Sequence, residues 1–72
     1  MKSEDNALYG ALIERGEVLT DEDGMYTVKS FDRDGVVTPP IPAVYNVIPD
    51  VGNRVFFFMF NDGSGRIIDT MD

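Results

Sequence analysis

Residues 54–60 read Arg54-Val55-Phe56-Phe57-Phe58-Met59-Phe60, followed at once by Asn61-Asp62-Gly63-Ser64-Gly65. The run breaks the apolar/polar alternation of a half-buried strand. At the strand period of two, Val55, Phe57 and Met59 project to one side, and Phe56, Phe58 and Phe60 to the other. Both faces are apolar and both need cover. A domain this small has one interior, which leaves two readings. Either the strand is buried on both faces within one chain, with the N-terminal segment through Leu8, Leu12 and Ile13 as a possible cover, or one face meets another chain. Phe56, Phe58 and Phe60 are the candidate interface residues.

Outward from that strand, short apolar runs alternate with strong turn signals. The runs are Glu17–Thr20, Met25–Phe31, Val36–Thr38, Ala43–Ile48, Arg54–Phe60 and Arg66–Thr70. Between them stand Asp23-Gly24, Asp32-Arg33-Asp34-Gly35, Pro49-Asp50-Val51-Gly52-Asn53 and Asn61-Asp62-Gly63-Ser64-Gly65. Asp-Gly pairs supply the positive φ angles of tight hairpins, so the pattern predicts antiparallel strands. Thr38-Pro39-Pro40-Ile41-Pro42 reads as a stiff, extended crossover, because proline removes the ladder donor. The fold class is mostly β: a small five- to six-stranded antiparallel barrel over residues 17–72. Residues 1–16 form an N-terminal helical segment. Its helix spans 7–15, on the spacing of Leu8, Tyr9, Leu12 and Ile13, with Asp5 or Asn6 as N-cap and Gly16 after its end. Gly10 weakens that helix, and the same stretch could instead lead straight into the first strand.

Composition narrows the function. The chain has 72 residues, and one of this size buries only roughly 60% of the surface its unfolded form exposes. It holds no cysteine and no histidine, which removes disulfides, the usual zinc sites and the familiar nucleophile–histidine triads. Thirteen acidic against six basic residues give a net charge of −7, which opposes binding to nucleic acid or anionic membrane. No run approaches the ~20 apolar residues of a membrane span, and Met1–Asn6 lacks a signal-peptide core. The expected location is the cytoplasm of the cell that makes it, or a particle assembled there.

Other candidate chemistry is thin. Ser30, Asp32, Asp34 and Gly35 fit positions 1, 3, 5 and 6 of a calcium loop, but position 12 is Ile41 rather than glutamate. A solvated hairpin turn is expected there, and Asp21-Glu22-Asp23 is expected to be a solvated tip. Ser64 sits in Gly63-Ser64-Gly65 without a base or a nucleophile elbow, and Gly63-Ser64-Gly65-Arg66 lacks the lysine and helix of a phosphate loop. No enzyme, cofactor or metal is expected.

Read together, several pieces carry a resemblance. Gly16-Glu17-Val18, Tyr26-Thr27-Val28-Lys29-Ser30, Thr38-Pro39-Pro40-Ile41-Pro42 and Pro49-Asp50-Val51-Gly52-Asn53-Arg54-Val55 come first. Phe56–Phe60, Asn61-Asp62-Gly63 and Gly65-Arg66-Ile67-Ile68 then follow in order. Over residues 12–71 the chain resembles the N-terminal oligonucleotide/oligosaccharide-binding (OB) barrel of phage baseplate spike proteins, the baseplate assembly protein V type. The resemblance implies an OB-like barrel and a structural role in a phage or prophage tail or baseplate. It also implies protein partners, either copies of itself in a trimer or other tail proteins. The chain departs from that pattern in three ways. The sequence ends at Asp72, directly after the closing strand, so the β-helical shaft is expected to be missing. There is no histidine for a tip metal, and residues 39–42 leave no room for the helix between the third and fourth OB strands. A stand-alone barrel serving as hub, adaptor or plug is the resulting expectation. A cellular OB- or SH3-like module that binds a peptide or protein is the alternative.

Overall fold

The computed structural model describes residues 12–71. They form one four-stranded antiparallel sheet of β1 (Glu14–Glu22), β2 (Met25–Ser30), β3 (Arg54–Met59) and β4 (Gly65–Thr70), in the spatial order β2-β1-β3-β4. The mostly β class holds, and two finer expectations change.

Among the described residues four strands form rather than five or six. Val36–Thr38 and Ala43–Ile48 contribute only isolated bridges, at Val37 and Ala43. Prolines at 39, 40 and 42 leave too few donors for a continuous ladder. β2 and β4 do not pair, so the sheet is not a closed barrel. The crossover spans the gap between them instead. Ile41 exchanges both backbone hydrogen bonds with Tyr26 at 2.8 Å, and Ile67 N–H then donates to Pro42 O at 3.0 Å. Thr38 N–H donates to Val28 O at 2.9 Å, and its hydroxyl accepts from Val28 N–H at 3.0 Å, filling in for a ladder carbonyl.

The second change is at the N-terminal end. Of the helix expected over 7–15, residues 7–11 lie outside the described residues. Leu12 and Ile13 are irregular, and Glu14 and Arg15 begin β1. Among the described residues no helix forms. Gly16 is no helix terminator: it lies inside β1, paired with Ser30 on one side and Val55 on the other. Its neighbours on the inward face are Glu14 and Val18, and that alternation is a strand's.

Turn chemistry places the hairpins as the sequence implies. Asp23 and Gly24 have φ of 55° and 79°, as a two-residue hairpin with both central residues left-handed requires, and Glu22 faces Met25 across it. Bulges shift the register between Val18 and Thr20 on β1 and between Phe56 and Phe57 along β3–β4, which adds twist. The twisted sheet folds over a core of Val18, Tyr26, Val28, Ile41, Val55, Phe57 and Ile67, each at most 5% exposed. Ile41 thus joins the core from the crossover, held between two prolines.

Candidate protein-docking surface

The strand with two apolar faces resolves into an inner and an outer side. Val55 and Phe57 are fully buried, and Met59 packs against the core. On the other side Phe56 and Phe58 are half-buried, and Phe60, just beyond β3, is exposed. Phe56 faces Arg15 on β1 and Asp69 on β4, while Phe58 faces Arg66. The Phe58 and Phe60 rings meet edge-on, with centroids 5.3 Å apart at 70°, an arrangement that suits the aromatic quadrupole. Two of the three candidate residues are therefore half-covered and the third is open.

Phe60 occupies a ridge between two depressions. One, of about 400 Å³, is lined by Met25, Pro40, Pro42, Phe58 and Arg66. The other, of about 230 Å³, runs between Val37, Pro39, Met59 and Phe60 and ends at Glu14, Ser30 and Arg33. The proline crossover is the wall they share. Val36 and Val37, on its approach, are 57% and 49% exposed, so apolar surface continues from Phe60 onto the crossover. A second apolar group, Tyr45, Ile48 and Val51, stands exposed on the loop before β3.

The polar end of the smaller groove went unread in the sequence. Glu14 falls at the end of the stretch expected as a helix or as a lead-in to the first strand, and it points inward from β1 with its side chain 6% exposed. Ser30 Oγ donates to Glu14 Oε1 at 2.9 Å and accepts from Arg33 N–H at 3.1 Å. Arg33 Nη2 lies 2.8 Å from Glu14 Oε2. That contact is an ion pair without hydrogen-bond alignment, and among the described residues Oε2 has no hydrogen-bond donor. The available signal was the spacing Glu14-Gly16-Val18, which places the carboxylate on the core face once β1 is extended backwards.

Beside it, Asp32 and Ser30, two of the residues with calcium-like spacing, are engaged otherwise. Asp32 accepts from Arg15 Nη2 at 2.7 Å and Arg15 N–H at 2.8 Å, and these bonds hold its carboxyl below the ordinary aspartate range. Ser30 is turned to Glu14. Asp62 accepts from both Ser64 Oγ and Ser64 N–H, which lowers its carboxyl in the same way and orders the β3–β4 turn. Among the described residues no group of three or more aspartates and glutamates is placed to hold a metal ion. No described helix is long and apolar enough to cross a membrane.

No family model matches the chain, and no curated protein matches it closely.

Proposed function

We propose that the protein is a structural assembly component of a phage or prophage tail or baseplate, acting as a hub, adaptor or plug that docks other protein chains. The observation that carries the docking role is the open apolar ridge of Phe60 with Val36 and Val37, continuous with the half-buried Phe56 and Phe58. Exposed apolar surface gathered beside a groove, in a chain this small, is the usual mark of an interface. The tail or baseplate setting rests on the ordered motifs from Gly16-Glu17-Val18 to Gly65-Arg66-Ile67-Ile68. Self-association, with a trimer as the first expectation, and contact with other tail proteins both use this surface. The reading assigns no catalytic residue.

The test is compositional. Tail or phage particles purified from the source cells, analysed by quantitative mass spectrometry, contain the chain in a fixed ratio to the other tail proteins. Particles lacking it, from cells in which it is abundant, overturn the assembly role.

A further inference from the structure

We infer that the groove ending at Glu14 is a recognition pocket for a basic side chain, an arginine or lysine presented by a protein partner. The inference rests on reading the Phe60 ridge as a docking surface and adds the chemistry of what docks there.

Among the described residues Glu14 is the one carboxylate lining this groove. A carboxylate buried in a largely apolar wall is costly unless a cation faces it. Arg33 faces it now, from an exposed turn and with its own side chain 57% exposed. The contact is close but unaligned, so Oε2 still lacks a donor. Arg33 is thus a cation already seated at the site, through a contact that lacks hydrogen-bond alignment. An incoming guanidinium or ammonium exchanges with it charge for charge and can supply the missing hydrogen bond. Charge-assisted bonds to a carboxylate are the strong class of hydrogen bond. The alkyl stem of an arginine or lysine then lies along Val37, Met59 and Phe60, covering surface now open to water. The net charge of −7 draws cationic partners to the molecule and opposes a second copy in that role.

The probe is n-butylguanidinium, with n-butylurea as its neutral isostere, titrated into the ¹⁵N-labelled full chain and followed by NMR. The guanidinium is expected to give saturable shifts at the Ser30, Val37 and Phe60 amides, and the urea none. Arg33→Ala removes the resident competitor and should tighten binding about fivefold, the upper range for an ion pair whose cation is exposed. Glu14→Gln should abolish binding. Equal binding of the urea, an Arg33→Ala variant that binds no tighter, or shifts confined to the acidic tip at Asp21–Asp23 would each overturn the pocket. Should Glu14→Gln fail to fold, the Arg33→Ala comparison still decides. Failure here leaves the assembly role standing, because particle composition tests that independently.

Discussion

Gly16 shows how one residue fixes the packing of the central strand. A Cβ placed there would sit 2.5 Å from Lys29 O, 2.7 Å from Val28 Cγ1 and 3.0 Å from Phe57 Cε1. The first of these is backbone and the other two belong to core side chains, so the neighbours have little room to give. Gly16→Ala is therefore expected to destabilise the protein by about 3 kcal/mol, the upper range for overpacking a core. Urea unfolding should show the loss as a lower midpoint with an unchanged slope. A midpoint equal to wild type would mean that the sheet can open around a methyl group, contrary to this account. Glycine was legible in the sequence, but its purpose was not. A glycine after an apolar, helix-spaced run looks like a helix end. The contacts that demand it come from β2 and from Phe57, which lies far away along the chain. Glu14 is hidden in the sequence for the same reason, since its partners Ser30 and Arg33 lie at the far end of β2 and in the turn that follows it.

At the scale of elements, the crossover holds the architecture together by side-chain substitution. Thr38 is buried, and its hydroxyl is the acceptor for Val28 N–H. Thr38→Val keeps the shape but removes that acceptor, leaving an unsatisfied donor in the interior. The expected cost is about 1–3 kcal/mol. Thr38→Ser, which retains the hydroxyl, should lose much less. Thermal melts of the two variants side by side check this, and a valine variant as stable as the serine one would remove the hydroxyl from the argument. The hairpins were the most legible elements. Met25–Phe31 and Arg54–Phe60 each run one residue beyond the strands observed, because Asp-Gly and Asn-Asp-Gly turns mark their ends locally. The crossover was legible only as a proline-rich connector. That Ile41 bridges to Tyr26 and enters the core depends on which edge lies beside it, and proline spacing carries no such information.

For the whole molecule, charge and exposed apolar surface act in opposite directions. Each copy carries −7, so copies repel one another, while Phe58 and Phe60 gain by being covered. Burying an aromatic side chain fully is worth about 1.5–3 kcal/mol. Screening shortens the repulsion to about 8 Å at physiological salt, so association should strengthen as salt is added. Sedimentation velocity of the wild type is expected to show an oligomer, a trimer first, growing with sodium chloride. Phe58→Ser should remain folded and become monomeric, whereas Phe57→Ser, at a fully buried position, should lose the fold. A compact wild-type monomer at the highest soluble concentration and at high salt would rule self-association out. The candidate surface is half-legible in the sequence: the period of two separates Phe56, Phe58 and Phe60 from Phe57, but only the sheet shows that Phe56 and Phe58 are half-buried while Phe60 is open.

The strand order has a consequence for how the chain comes together in time. β1 is central in space yet first in sequence, and its second partner, β3, arrives only after the crossover and the long loop. β1 and β2 can pair as soon as Asp23-Gly24 turns, and the crossover can then bridge to β2. The pairing of Glu14 with Phe57 must close a much longer loop before it returns any contact energy. During synthesis, therefore, the inner edge of β1 stays bare until the phenylalanine strand emerges, and the segment least suited to water is also the one that joins the first hairpin to β4.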